Sequence, residues 1–203
     1  LRRRPRARVV IVGGDGTSYG APPSPARHGA ARHWKEIFIA EVRPQIPDAD
    51  WARVHFVGKL PYPAFIGLLQ LSTVHVYLTY PFVLSWSLLE AMSAGCAIVA
   101  SNTQPLHEAI AHGETGRLVD FFDTSALAAE VCALLDDPAA RQRLGHNARA
   151  FAQAHYDLHR VCLPRQLQWG QALAAGGKRG RAGEWKNKPL ALACIALVAM
   201  KFE

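Results

Sequence analysis

Short apolar runs alternate with longer segments of helical periodicity along residues 9–173 of the chain. The apolar runs are typical of strands, and the segments between them repeat apolar positions about every 3.6 residues, which predicts amphipathic helices. The predicted strands are 9–12, 54–57, 73–79, 97–100 and 116–119, and the predicted helices are 30–43, 62–71, 85–94, 106–112, 124–135, 138–155 and 161–173.

Strands that alternate with helices predict right-handed crossovers and a parallel sheet with helices on both faces. The first run, 9–12, contains only Val and Ile, which is typical of a strand buried on both faces. We therefore predict an α/β, Rossmann-like fold. Ligands of such sheets bind beyond the carboxyl ends of the strands, so the loops 13–16, 58–59 and 80–85 are expected to meet at one edge.

Charge is concentrated at the two ends of the chain. The formal net charge is +7, yet five arginines lie within residues 1–8 and the segment 178–203 is also basic, so the body is slightly acidic. A nucleic-acid binder spreads its basic residues over a folded face, so nucleic acid is not an expected partner. We expect solvated, disordered basic arms, compatible with weak peripheral contact with anionic lipid.

Three regions follow from the composition of the chain. Residues 1–8 form a basic segment, expected to be the end of a missing upstream region, 9–173 form the Rossmann-like domain, and 174–203 form a basic and apolar tail. The apolar stretch 189–200 is shorter than the roughly 20 residues that span a bilayer.

The cysteines predict a cytoplasmic protein. Cys96, Cys132, Cys162 and Cys194 have no metal-binding or redox spacing and are expected to be reduced thiols. His155 and His159 have helical metal spacing but no third ligand accompanies them, so no metal site is expected.

The loop and helix after the third strand carry the most informative pattern. Free backbone N–H groups and the helix dipole favour an anion at the loop that precedes the predicted helix 85–94. Glu90 follows one turn later among apolar residues, and a carboxylate there is costly to bury unless it is partnered. Two interpretations are open: Glu90 forms an internal salt bridge or cap, or it accepts two adjacent hydroxyls of a ribose.

The turn after the first strand is a second candidate for phosphate binding. It contains Gly14 and Gly16 but lacks the third glycine of a dinucleotide fingerprint and the Gly-Lys-Ser/Thr of a P-loop. A plain turn at the end of a strand is the alternative.

Segments 9–16, 54–60, 81–101 and 108–119 together resemble the C-terminal domain of family 4 glycosyltransferases, which are retaining enzymes with two Rossmann-like domains in a GT-B fold. The most specific part is 87–101. The resemblance implies that the chain binds a nucleotide-diphosphate sugar for transfer to a glycan or lipid acceptor, which binds through a missing N-terminal domain. It implies that Glu90 holds the ribose, that amides of Leu84, Ser85 and Trp86 hold the diphosphate, and that Lys59 lies in a base-contacting loop. No cofactor or metal is expected.

The chain departs from the family at the reacting centre. The family carries two glutamates across this loop and helix; the second matches Glu90, but the first falls at Phe82. The family's upstream Arg and Lys have no match at the right spacing among Arg2, Arg3, Arg4, Arg6 and Arg8. No catalytic residue is therefore assigned, the chain alone is expected to be inactive, and a non-catalytic scaffold or interaction domain is the alternative function.

Overall fold

The computed structural model describes residues 1–17, 21–80 and 84–175. The chain divides into two compact units, Leu1–Phe65 and Ile66–Glu203, and each contains its own parallel sheet. The expectation of one continuous sheet is therefore not met in the described residues, although the α/β character is confirmed.

The first unit is built on a two-stranded parallel sheet. In it β1 (Val9–Val12) pairs with β2 (Val54–Gly58), with Val9 opposite Val54. Between the strands lie α1 (Pro25–His28), α2 (Trp34–Val42), a 3₁₀ turn (Arg43–Gln45) and α3 (Asp48–Trp51). Helix α4 (Tyr62–Leu71) begins in this unit and ends in the second.

The prediction that β1 is buried on both faces is wrong for this structure. Val9, Val10 and Ile11 are 39%, 41% and 42% exposed. Among the described residues only β2 pairs with β1. The strand β1 thus has the apolar sequence of an interior strand but only one hydrogen-bonded neighbour there. Burial depends on what covers a strand, which its own sequence does not contain.

The basic segment 1–8 belongs to the first unit, and its backbone is held in place rather than disordered, although Arg2, Arg3, Arg6 and Arg8 are exposed. The Arg53 guanidinium donates to the carbonyl oxygens of Arg4 at 2.8 Å and Ala7 at 3.0 Å. It also pairs with the Asp50 carboxylate at 2.5 Å. One arginine thus satisfies backbone acceptors that the sequence alone left to solvent.

The second unit contains a three-stranded parallel sheet with the order β3 (His75–Tyr77), β4 (Ile98–Ser101) and β5 (Arg117–Val119). All four residues of the central strand β4 are buried, as expected of a strand covered on both faces. The remaining elements are α5 (Trp86–Ala94), a 3₁₀ helix (Gln104–Glu108), α6 (Thr124–Asp136), α7 (Pro138–Tyr156), a π-helical turn (Leu158–Cys162) and α8 (Leu163–Ala174).

The core of this unit joins the sheet to α6 and α7. Val99 and Val119 from the sheet pack with Leu134 of α6 and Leu144 of α7. Helix α5 packs along α7 and buries Leu88, Leu89, Ala91 and Met92. Among the described helices, none is both long and apolar enough to cross a membrane.

Two cysteines are buried in this unit as thiols. Cys96 follows α5, and its Sγ donates to the Leu69 carbonyl oxygen at 3.2 Å. Burial raises the pKa of Cys96 to about 11, so the thiol stays protonated at neutral pH. Cys162 is also buried and forms no disulfide, whereas Cys194 lies outside the described residues.

Helices α5 and α7 meet at two glycines. Gly95 ends α5 in the left-handed region, with φ 79°, and its N–H donates to the carbonyls of Ala91 and Met92. A Cβ added to Gly145 of α7 would lie 2.2 Å from the Gly95 carbonyl oxygen. The close approach of the two helices therefore requires that Gly145 has no side chain.

Glu108, in the 3₁₀ helix that follows β4, is a half-buried carboxylate. His107 is exposed, but Glu108 is half-buried beneath α7, where the Tyr156 hydroxyl donates to its Oε1 at 3.2 Å. Burial raises the pKa of Glu108, and the hydrogen bond from Tyr156 opposes that shift.

We predict that Gly145→Ala destabilises the protein by about 1–3 kcal/mol, because the new methyl group overlaps a backbone oxygen that cannot move aside cheaply. The helix propensity of alanine, better than glycine by about 1 kcal/mol, acts in the opposite direction. Gly170→Ala in α8 is the matched control, because a Cβ there meets nothing within 4 Å. Urea unfolding measures both variants, and an unchanged midpoint for Gly145→Ala would refute the close contact.

We predict that Glu108→Gln flattens the pH dependence of stability. The folded state binds the Glu108 proton more tightly than the unfolded state, so wild-type stability falls as pH rises from about 4.5 through the folded pKa. Glutamine accepts the Tyr156 hydrogen bond without carrying the charge. The free energy of unfolding is measured from about pH 4 to about pH 8. The difference between variant and wild type should grow in favour of the variant as pH rises, whereas Glu114→Gln, at an exposed position, should show no such trend.

Candidate functional site

Ser85 caps the N-terminus of α5. Ser85 adopts extended backbone angles, and its Oγ accepts from the Ser87 N–H at 3.3 Å. Its carbonyl oxygen accepts from the Leu88 N–H at 3.2 Å. Within the described residues, the N–H groups of Leu84 and Ser85 donate to no protein acceptor. These two N–H groups, on half-buried residues, and the positive end of the helix dipole can therefore bind an anion.

Glu90 lies one turn into α5 and is half-buried between Leu89 and Ala91, both of which are buried. No hydrogen bond or ion pair joins its carboxylate to any described residue. The internal salt bridge that was one of the two interpretations is thus absent from the described part of the chain. A role for Glu90 in holding a ribose stays a prediction.

The loop that leads from β3 toward α5 is fastened to the end of β4. Ser101 Oγ donates to the Thr79 carbonyl oxygen at 2.9 Å and accepts from the Thr79 N–H at 3.0 Å. This pair of hydrogen bonds fixes the chain just before the segment 81–83. Phe82, at the position of the family's first glutamate, lies outside the described residues.

Polar groups that the sequence analysis did not single out lie at the carboxyl end of β4. His107 Nε2 lies 2.6 Å from Asn102 Oδ1, and both side chains are exposed. The Thr103 hydroxyl is buried and has no hydrogen-bond partner among the described residues. The available signal was the run of polar residues directly after an apolar strand, at the edge where parallel sheets bind ligands.

A second group of predicted residues lies in the first unit, after β1 and β2. The Gly13 N–H donates to the Gly58 carbonyl oxygen at 3.0 Å, which joins the two loops. The Lys59 side chain lies over Gly14, since a Cβ added at Gly14 would be 2.7 Å from Lys59 Cε. Gly16 has no such neighbour within 4 Å. The structure therefore brings Gly14 and Lys59 together, whereas no described residue lies against the Cβ position of Gly16.

Lys35 is a charged residue in this group that the sequence analysis missed. Its Nζ lies 2.5 Å from Asp15 Oδ1 and 5.4 Å from the centroid of the Phe56 ring. The Lys35 ammonium holds the pKa of Asp15 below its usual value. Helical periodicity placed Lys35 on a predicted helix. It did not indicate that Lys35 would pair with Asp15, which lies in a turn 20 residues earlier. Roles for Gly14, Gly16 and Lys59 in binding a nucleotide stay predictions.

Comparison with known proteins gives the family. The sequence profile of the family described as "Glycosyl transferases group 1" matches residues 48–151, about half of the chain. Glycogen synthase of Mycobacterium tuberculosis is 35% identical over 119 residues, which are 55% of this chain and 29% of that protein. D-inositol 3-phosphate glycosyltransferase of Streptomyces avermitilis is 32% identical over 75% of this chain and 31% of its own length. The chain thus spans about three tenths of these relatives.

Solved structures agree on the fold. Sucrose-phosphate synthase from Thermosynechococcus elongatus superposes with a TM-score of 0.66 at 26% identity, covering 83% of this chain and 39% of that one. HepE of Anabaena, solved in complex with UDP and glucose, gives a TM-score of 0.63 at 20% identity, covering 82% of this chain and 40% of that one. The Rossmann-like α/β architecture expected for one half of a GT-B fold is thereby confirmed.

The matched region runs from the start of α3 into α7 and includes the capped α5, Glu90 and the fastened loop before them. The chain therefore belongs to the glycosyl transferases group 1.

Proposed function

We propose that this chain supplies the donor-binding half of a retaining, hexosyl-type glycosyltransferase, which moves a sugar from a nucleotide diphosphate to a hydroxyl of a glycan or lipid. The observation that carries the proposal is the half-buried carboxylate of Glu90, which has no partner among the described residues and lies one turn after the N-terminus of α5. The amides of Leu84 and Ser85 at that end likewise donate to no acceptor in the described part of the chain. Relatives named as a glycogen synthase and a mannosyltransferase, and the UDP and glucose complex of HepE, support this class of donor.

The proposed chemistry follows from where charge develops. The bond between the anomeric carbon and the diphosphate oxygen breaks, the acceptor oxygen bonds to that carbon, and the leaving diphosphate takes up the proton of the acceptor hydroxyl. Negative charge then builds on the leaving diphosphate. The amides of Leu84 and Ser85 and the dipole of α5 stabilise that charge, with Trp86 in the first turn. We propose no metal ion and no cofactor, since fixed amides perform this role.

Glu90 is proposed to orient the donor. A carboxylate presents two acceptor oxygens, which match two adjacent ribose hydroxyls. Hydrogen bonds to a charged acceptor are the stronger kind, and a half-buried position limits competition by water. The acceptor is proposed to bind with the help of a further domain, because the chain spans about three tenths of its relatives.

A non-catalytic nucleotide-binding scaffold is the second candidate function. Phe82 in place of the family's first glutamate favours it, because the side chain at that position no longer carries a charge. Sugar turnover by the complete natural chain would exclude this candidate. A cytoplasmic location with weak peripheral membrane contact remains part of the proposal, on the basis of the reduced cysteines and the basic ends.

We predict that UDP, GDP or ADP raises the melting temperature of the protein and that Glu90→Ala removes most of this shift. Loss of hydrogen bonds to a charged acceptor should weaken binding roughly ten- to a hundredfold. Glu114→Ala is the matched control, because Glu114 is an exposed glutamate. Isothermal titration gives the dissociation constants.

The 2′-deoxy analogue of the bound nucleotide tests the assigned contact. Wild-type protein should bind the deoxy analogue more weakly than the ribose form, and Glu90→Ala should bind both equally. Discrimination that persists in Glu90→Ala would show that another group holds the ribose. The absence of binding by all three nucleotides would overturn the donor-binding proposal itself.

A further inference from the structure

Three aromatic side chains form a cluster at the carboxyl edge of the three-stranded sheet, and two of them are exposed. Tyr80 follows β3, and Phe121 and Phe122 follow β5, so the cluster spans the end of β4. The ring centroids of Tyr80 and Phe121 are 5.9 Å apart and those of Phe121 and Phe122 are 5.0 Å apart, both edge-to-face. Tyr80 is 66% exposed and Phe122 is 77% exposed. Much of this aromatic surface is therefore not used by the core.

The backbone under this aromatic cluster is fixed. Thr79, which precedes Tyr80, is held by both hydrogen bonds to Ser101. The Phe122 N–H donates to Asp120 Oδ1 at 2.8 Å. Asp123 then caps α6 by accepting from the Ala126 N–H at 2.8 Å. Exposed rings on an anchored backbone provide a preformed surface, which lowers the entropic cost of binding a ligand.

The groups around the aromatic cluster indicate what it binds. Asp120 and Asp123 are exposed carboxylates, which repel phosphate and the headgroups of anionic lipids. Asn102 and His107 place further hydrogen-bonding groups at the end of β4, between the strands that carry the rings. A binding surface with aromatic rings and a few polar groups suits a ligand with an apolar face and a hydroxylated rim. A neutral pyranose has this character.

We propose that the aromatic cluster binds a neutral pyranose unit of the acceptor glycan. The identification of the ligand as an acceptor rests on the proposed function. Tyr80 lies five residues before Ser85, so at most about 18 Å of chain separates it from the cap of α5. Sugar at the aromatic cluster is thus within a few sugar units of a diphosphate at that helix.

The test uses the full chain and three neutral probes: maltoheptaose, mannotetraose and galactotetraose. Isothermal titration should show millimolar binding of at least one probe, and Phe122→Ala and Tyr80→Ala should each weaken it roughly five- to tenfold. Trp169→Ala is the matched control, because Trp169 is 45% exposed on α8 and outside the aromatic cluster. Absence of binding by all three probes would overturn the inference, as would equal affinity in Phe122→Ala and wild type.

Phe122→Leu separates sugar from lipid as the ligand. Leucine keeps apolar area but has no ring, so sugar binding should fall as far as in Phe122→Ala. Flotation with phosphatidylglycerol vesicles is the second arm. Vesicle binding that Phe122→Leu retains and Phe122→Ala loses would assign the aromatic cluster to a membrane and overturn the proposal.

The nucleotide titration on the same variants distinguishes the two proposals. Phe122→Ala should bind nucleotide as wild type does, and its unchanged melting temperature should show that the exposed ring is not needed for folding. Nucleotide binding without saccharide binding would overturn the acceptor inference and leave the donor proposal standing. Saccharide binding without nucleotide binding would contradict the donor proposal, and with it the assignment of the saccharide as an acceptor.

Discussion

The close contact between Gly95 and Gly145 is the constraint on which the second unit depends. It sets how near α5 approaches α7, and α7 in turn packs with α6 against the sheet. Packed interiors resist even small volume changes, so a helix held at backbone contact has little freedom to shift. The N-terminus of α5 is thereby positioned from its opposite end. A helix used to hold an anion needs this rigidity, because fixed dipoles stabilise charge without reorganising.

Polar groups of the second unit differ in whether they have hydrogen-bond partners. Ser101 forms hydrogen bonds with both the N–H and the carbonyl oxygen of Thr79, and Asp123 caps α6. The loops at the carboxyl edge of the sheet are therefore anchored. Glu90, in contrast, has no partner among the described residues. A half-buried carboxylate keeps some contact with water, so this arrangement is tolerable in the free protein. Perturbed or unsatisfied groups at a sheet edge are characteristic of sites rather than of cores.

Local signals in the sequence were sufficient to predict where α5 lies, but they were insufficient to predict which side chains are buried. Ser85 and Gly95 bracket that helix because capping is decided by neighbouring residues. The predicted helix 106–112 is instead a 3₁₀ helix that starts at Gln104, with Pro105 in its first turn, and α1 and α3 are too short to show periodicity. Exposure of β1 and burial of Glu108 depend on distant parts of the chain, as the Tyr156 contact 48 residues away shows. Ser85 and Glu90 could therefore be predicted, because they belong to one short segment of the chain. Lys35 and the aromatic cluster could not, because their contacts join residues that are distant in the sequence.

The distribution of charge along the sheet edge gives the two proposed ligands different places. Amides and a helix dipole at α5 favour the anionic part of a donor, whereas Asp120 and Asp123 beside the aromatic rings disfavour it. A neutral sugar is neither strongly attracted by the helix dipole nor strongly repelled by the carboxylates, so contact with the aromatic rings would contribute most of its binding energy. Because electrostatic repulsion acts over several ångströms and ring contact only at van der Waals distance, we expect the carboxylates to repel a misplaced diphosphate before it reaches the rings. The proposed selectivity at this edge thus rests on the order of the residues after β3 and β5.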